Sequence, residues 1–467
     1  MAESQITPVE KLPFIDMPTT PRLPVVGSAP WLIHPEGPLA RMLEYARLNR
    51  EPGVLRTLTP NGQDLIFAFN VRHATEMCDE SRYQKIVDGP LIRIRDFAGD
   101  GLFTADNDSP NWHKAHRILT PGFTAESMER YFPAMRSALE ELLVHWRKAE
   151  APVDVVKDMT RLTLDTISLS GFDYSFHSFA QEELHPCLKA LGRALQESID
   201  EIARPQAIAW MFGRKRTVFR RDVKMLFELV DRVVAERKLK PRETWPRDFL
   251  SMMLEEVDPK SGERLSDENI RYQILTFLVA GHETTSGMLS FALHQLSSNP
   301  ALLARVRAEV EQKLGKREPT RADVLQLSLI MRILSETLRL WPTVPVLGLA
   351  PLKDELLDGR WEVPAGKPLG LFVTAVHRDP TVWLEPDKFD PDRFLPEVAR
   401  QRPGASYKPF GNGKRSCIGR MFALIEAALA LALIVREFDF EAPPPLKILP
   451  AASPKPAKFK LGLKRRA

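Results

Sequence analysis

The segment Phe410-Gly411-Asn412-Gly413-Lys414-Arg415-Ser416-Cys417-Ile418-Gly419 sets one cysteine among glycines and cations, directly ahead of the apolar run FALIEAALALALIV. A cysteine at the start of a helix meets the positive end of the helix dipole and nearby backbone N–H groups, which favour thiolate, the form that ligates iron. Gly411 and Gly413 let the loop turn tightly and aim its amides at the sulfur, and Phe410 can screen that sulfur from water. No C-x-x-C-H accompanies Cys417, which excludes covalent haem attachment of the c type and leaves a fifth, axial iron ligand as its natural role. The plainer reading of such a cysteine is a buried structural thiol, and that reading suits Cys78 and Cys187.

The loop resembles the haem-binding signature F-x-x-G-x-R-x-C-x-G of the cytochromes P450 at every specified position. The resemblance extends over nearly the whole chain and is most marked toward the haem domains of bacterial self-sufficient fatty-acid hydroxylases, in which such a domain is fused to a flavin reductase. RDFAGDGLFT, DMTRLTLDTI, DENIRYQI, AGHETTSG and KPFGNG carry it. It implies a mainly α, multihelical fold with a long central helix and small β-sheets, and haem b (iron protoporphyrin IX) buried between that helix and the Cys417 loop. It also implies one haem domain over residues 1–467 without a reductase domain in this chain, O2 as co-substrate, and electrons from NAD(P)H. Those electrons would arrive through a fused or separate flavoprotein, or through a ferredoxin or flavodoxin.

Ala280-Gly281-His282-Glu283-Thr284-Thr285 is similar to the family's oxygen-activation motif. Ala280 and Thr284 are four apart and share a helix face, where a small residue leaves room for haem and O2 and Thr284 offers a hydroxyl. Gly281 weakens the helix, and a threonine hydroxyl can bond back to a carbonyl, so the ladder can open to admit water. Glu283 would then be the upstream carboxylate of a proton route. Trp112 and His116, also four apart, can point together toward haem propionates, with Arg415 as a third donor. Glu336, Arg339 and Arg393 resemble the family's E-x-x-R and its third partner, a lock that is structural.

By the same resemblance Phe103, Leu91, Ile94, Val279, Val344 and Val346 face a small hydrophobic substrate, long-chain and fatty-acid-like, with Phe103 nearest the haem. The fused hydroxylases anchor a carboxylate with an arginine and a tyrosine, and here Gln63 and Phe67 stand at those positions. Neither supplies the charge, and phenylalanine lacks the hydroxyl.

The elements that must position these residues are mostly helical. Ser266 can cap a helix with Asp267 and Glu268 in its first turn, running through ILTFLVAGHETTSGMLSFALHQL for roughly 30 residues, apolar on nearly every face and therefore buried. Asn299-Pro300 ends it and starts the next, which Gly315 can close; LIMRILSETLRL must finish before Pro342. LIFAF at 65–69 and LGLFV at 369–373 read as strands, and the proline-rich stretches 386–396 and 443–457 as irregular connections. AIAWMF at 207–212, followed by Arg214-Lys215-Arg216, reads first as ordinary helix packing and second as an apolar, basic-rimmed lip or membrane-touching patch.

Hydrophobic residues make up 44% and charged residues 27%, a globular balance that excludes disordered and fibrous classes. The net charge of +4, from 65 basic and 61 acidic residues, gives no reason to expect nucleic acid. No run approaches the about 20 apolar residues of a membrane-spanning segment, and three cysteines without finger spacing suit a reducing, cytoplasmic setting. The function expected is a haem-thiolate monooxygenase. One rival is a peroxide-driven or O2-independent haem-thiolate enzyme acting on lipids, against which the Glu283-Thr284 pair speaks. Another is a non-catalytic haem sensor or carrier, which would need an output surface.

Overall fold

Ser266 accepts the backbone N–H of Asn269 and starts the helix Asp267–Ser298, whose 32 residues form the axis of the molecule. The computed structural model describes residues 11–21, 27–59, 62–201, 204, 206–449 and 453–466. Nearly all of this central helix between Ile274 and Ser297 is buried, as its apolar circumference predicts. Asn299 ends it and caps the next helix, Pro300–Lys313, by accepting the N–H of Leu302. Gly315, at φ +54°, closes that second helix, with its N–H donated to Glu311 and Val310.

The central helix packs along Val155–Phe172, and also touches Arg420–Glu437, Ser328–Leu340 and Pro90–Ala98. At the crossing with Val155–Phe172, a Cβ on Gly281 would lie 2.9 Å from the Ile167 side chain, so glycine is required there for close approach as well as for helix weakening. Arg420–Glu437, the helix after Cys417, is buried from Ile425 to Val435.

A five-stranded sheet stands to one side, in the order Val54–Leu58, Asp64–Ala68, Leu369–Phe372, Val346–Pro351, Tyr83–Lys85. Asp64–Ala68 and Leu369–Phe372 run parallel; the other neighbours are antiparallel. This sheet brings Phe67, Val346 and Lys85 to one side of the fold. Two sequence readings change. Within the stretch expected to be irregular, Ile448–Leu449 pairs antiparallel with Lys455–Pro456. The AIAWMF segment is not packed away: Trp210 is 78% and Met211 61% exposed.

Glu336 and Arg339, both fully buried on Ser328–Leu340, form a bidentate pair at 2.6 and 2.8 Å. The remaining Arg339 N–H groups go to the carbonyls of His377 (2.9 Å), Pro386 (2.7 Å) and Lys388 (3.1 Å). Arg393 is a looser third member than the sequence implied, 3.6 Å from Glu336, because the Asp390 N–H at 2.8 Å already occupies that oxygen. Arg339→Leu should therefore cost about 3–5 kcal/mol by stranding a buried carboxylate. Arg393→Leu should cost about 1 kcal/mol. Thermal and urea unfolding of the two variants, followed by circular dichroism, measures both.

Candidate functional site

The loop ahead of Arg420–Glu437 turns as its glycines predict, with Gly411 at φ +76° and Gly413 at φ +57°. At Gly413 a Cβ would collide with the Glu80 carboxylate, which accepts the N–H of Lys414 at 2.7 Å. Asn412 donates to the Cys78 carbonyl at 2.7 Å, and the Cys417 N–H closes the turn on Phe410 O at 2.8 Å. Phe410 is half-buried and has the Arg420 guanidinium 5.4 Å from its ring centre.

Cys417 has open surface, yet burial is the largest influence on its thiol and pushes the pKa up. The sulfur is enclosed by protein although the residue keeps open surface. The Gly419 amide and the Arg420 charge pull the other way, as the helix-start argument expects, and desolvation is the larger influence. Metal binding favours the deprotonated thiol, the ligand form expected from the sequence.

The central helix shows one open turn. Ala280 is exposed and Thr284 half-exposed between buried neighbours. Phe123 joins the two sides: it lies 3.8 Å from the Cβ position of Gly419 and 6.0 Å, ring to ring, from Phe277 of the central helix. The Thr284 hydroxyl donates to Ala280 O at 2.7 Å, the back-bond expected from the sequence. The same stretch is loosened again where Thr163 donates to His282 O at 2.9 Å.

Glu283 is placed differently from a free upstream carboxylate. Burial pushes its pKa up, but Lys455 at 2.8 Å and His282 at 3.4 Å outweigh that and hold it down at about 2. It is an ion-paired anion at neutral pH, and Lys455 arrives from the short C-terminal sheet that sequence patterning missed.

Donors gather around Arg415 of the cysteine loop. Ser109 caps Pro110–Leu119, and on that helix the Trp112 and His116 rings stack at 4.8 Å. Arg415 lies 4.7 Å from the Trp112 ring and donates to Asn107 at 2.8 Å. Burial lowers the pKa of His116, with Arg415 adding to the effect. Burial also brings Arg415 down to about 10. Lys85, which sequence reasoning did not single out, falls to about 7 through burial and the Arg415 and Arg95 charges. This edge has an excess of cations suited to carboxylates of a bound group.

Of the expected substrate-facing residues, Leu91, Phe103, Val344 and Val346 keep partly open surface, whereas Ile94 and Val279 are buried in the main core. Gln63 is exposed beside the strand Asp64–Ala68. Phe67 packs with Val346, its ring within 2.7 Å of the Cβ position at Gly370. His377 is another residue whose role only the structure reveals: fully buried, with a pKa near 3 through burial, it accepts the Lys408 N–H at 2.8 Å and bonds Arg339 O at 3.2 Å. It thereby ties the Glu336–Arg339 pair to the cysteine loop.

The cytochrome P450 family profile matches residues 17–462. The chain belongs to the cytochrome P450 family. Over 410 residues it is 41% identical to the bifunctional cytochrome P450/NADPH–P450 reductase 2 of Bacillus subtilis, covering 87% of this chain and 39% of that relative. It is 36% identical over 450 residues to a self-sufficient cytochrome P450 monooxygenase of Phanerodontia chrysosporium, covering 95% of this chain and 42% of the relative. The chain thus spans about two fifths of the length of these curated relatives. The crystal structure of the cytochrome P450DA heme domain superposes with a TM-score of 0.91 at 42% identity, covering 98% of this chain and 99% of that one. The P450 fold expected from the sequence is the fold observed. Among the described residues, no helix is long and apolar enough to cross a membrane.

The Glu283–Lys455 pair carries a pH signature. Its folded carboxyl lies at about 2 against an ordinary 4.5, so its stabilisation is complete above about pH 4.5 and is lost as pH falls toward 2. Lys455→Met should destabilise the protein at pH 7 by about 1.5–3 kcal/mol. The gap from the unmodified chain should narrow below pH 4.5. Unfolding free energies of both proteins across that range provide the check.

Proposed function

We propose that this chain is a haem-thiolate monooxygenase domain that hydroxylates a long-chain hydrophobic substrate. The observation that carries the reading is the glycine-turned loop that sets Cys417 ahead of the helix Arg420–Glu437, which packs against the central helix whose surface opens at Ala280 and Thr284. The donor set fits haem b: one cysteine for the iron, and Trp112, His116 and Arg415 as donors for carboxylates at the edge. When bound, haem b supplies the iron chemistry by which O2 is reduced with two electrons and one oxygen atom reaches the substrate.

The chain's own residues bind, orient and deliver protons. Cys417 would hold the iron through a deprotonated Sγ, with the Gly419 amide steadying the charge. Ala280 leaves space beside the haem face. Thr284 Oγ1 would exchange its bond to Ala280 O for one to water and so pass a proton inward. Glu283, fixed as an anion by Lys455, would orient that water rather than supply the proton. Phe103, Leu91, Val344 and Val346 would line a dry channel, with Ile94 and Val279 behind them. Gln63 and Phe67 leave the mouth without a cation of their own, which favours a substrate recognised by its apolar length over one selected by a free carboxylate.

The curated relatives are named as fusions with an NADPH–P450 reductase, which supports electron supply from NADPH through a flavin reductase, fused or separate. Residues 1–467 would then be one haem domain. A cytoplasmic setting is supported by three free cysteines without disulfide pairing.

The ligand assignment is tested by reducing the haem-loaded protein under carbon monoxide. The strongly red-shifted Soret band of a thiolate complex is expected, and Cys417→His should abolish it while haem remains bound; a band retained in that variant assigns the iron to another residue. A second measurement isolates the proton route. Thr284→Ala should keep haem and substrate binding but divert reducing equivalents to peroxide or water. Product formed per NADPH consumed, in a reconstituted assay, should fall by about tenfold or more.

A further inference from the structure

Residues 200–224 carry seven cations against three carboxylates, so this one stretch holds as much net positive charge as the whole chain, +4. Its apolar tip is turned outward. Trp210 is 78% and Met211 61% exposed, with Ile208 beside them at 37%. Scattered apolar side chains on a surface are ordinary, whereas three within four residues, followed at once by cations, mark a contact surface.

The outward pose is built into the fold. Arg204 takes both carboxylate oxygens of Glu197 and lies 4.4 Å from the Phe212 ring, which clasps the turn Gln206–Phe212 from its two ends and leaves Phe212 half-buried. Glu201 draws in Arg216 at 3.5 Å and Arg93 at 3.4 Å, and Asp200 meets Lys215 at 3.5 Å. Arg93 belongs to Pro90–Ala98, where the adjacent Ile92 is also exposed, so that helix and the apolar tip share one lip. Asp222, fully buried, is held at 2.7 Å by two Arg193 nitrogens, and Arg221 keeps only a 3.7 Å contact with it. Arg214 and Arg220 are exposed and have no carboxylate partner among the described residues. The carboxylates of the lip are thus occupied, and its surplus cations face solvent.

We propose that this lip docks on an anionic lipid surface, with Ile208, Trp210 and Met211 entering the headgroup boundary and Arg214, Arg220 and Arg221 meeting lipid phosphates. An indole suits that boundary because its ring is apolar and its N–H is polar, and each cation close to an anionic leaflet adds to the attraction. Such a contact is peripheral and needs no spanning helix. A protein partner would have to offer carboxylates in fixed register around a protruding ring, whereas a fluid headgroup layer rearranges around it. The helices that carry the lip, Pro186–Asp200 and Gly213–Leu239, pack on each other and on Pro90–Ala98, which bears Leu91 and Ile94. The inference does not rest on the haem reading and adds to it a partner at the side of the fold where an apolar substrate is expected.

Co-flotation of the haem-loaded chain with unilamellar vesicles tests this. Vesicles of phosphatidylglycerol and phosphatidylcholine in equal parts should bind the unmodified chain at low salt about tenfold tighter than vesicles of phosphatidylcholine alone, and high salt should remove most of the difference. Arg214→Glu with Arg220→Glu, and separately Trp210→Ala with Met211→Ser, should each weaken binding by about tenfold or more. The same charge change made elsewhere on the surface, Lys316→Glu with Lys353→Glu, should weaken it by less than about threefold. All these side chains are exposed, so circular dichroism and haem content should match those of the parent. Lipid brominated in its acyl chains should quench the fluorescence of the unmodified chain more strongly than that of Trp210→Phe, which keeps an aromatic ring at the tip. No preference for the anionic vesicles, an equal loss from the Lys316 and Lys353 pair, or equal quenching in Trp210→Phe overturns the proposal. So does a dimer, or a complex with an electron-donor flavoprotein, that Trp210→Ala with Met211→Ser disrupts while vesicles go unbound, since the lip then belongs to a protein.

Discussion

The buried guanidinium of Arg339 is the joint on which this molecule depends. A guanidinium has five N–H donors in a rigid fork, and here all are used: two on Glu336 and one each on the carbonyls of His377, Pro386 and Lys388. Burying that charge is tolerable only because every donor is satisfied and a carboxylate stands opposite it. The arrangement fixes the segment 377–390 against the helix Ser328–Leu340. From there His377 passes the constraint to Lys408, and Tyr407 adds a bond to Ser335 O at 2.8 Å. The loop that carries Cys417 thus hangs from the helical core by buried polar contacts rather than by its own local structure.

Desolvation shifts the titratable groups around the cysteine loop. It raises the Cys417 pKa against the helix-start field and lowers those of Lys85, Arg415 and His116. Glu283 escapes because Lys455 and His282 compensate it. A single cysteine for a metal beside cations suited to carboxylates fits the haem that the family uses.

Much of the fold was legible in the sequence because its signals are short-range. Ser266, Asn299 and Gly315 mark helix ends through bonds to residues at most a turn away. Gly411 and Gly413 declare a left-handed turn wherever they are placed. Apolar periodicity separated the buried central helix from surface ones. The failures have equally physical causes. Trp210 and Met211 look like core residues in composition, yet both are largely exposed. The strands Ile448–Leu449 and Lys455–Pro456 are too short and too rich in proline nearby to be recognised before they pair.

The sequence by itself determined the family, the turn that sets Cys417 before a helix, the helix face bearing Ala280 and Thr284, and the ends of the long helices. Each is written in neighbouring residues, where dihedral preference, capping and side-chain period act without the rest of the chain. Tertiary structure alone decided that Lys455 pairs with Glu283, that His377 links Arg339 to Lys408, and that burial raises the Cys417 pKa. These depend on which distant groups meet after water has left, and the energy of a charge in a folded protein is set by that meeting rather than by its place in the chain.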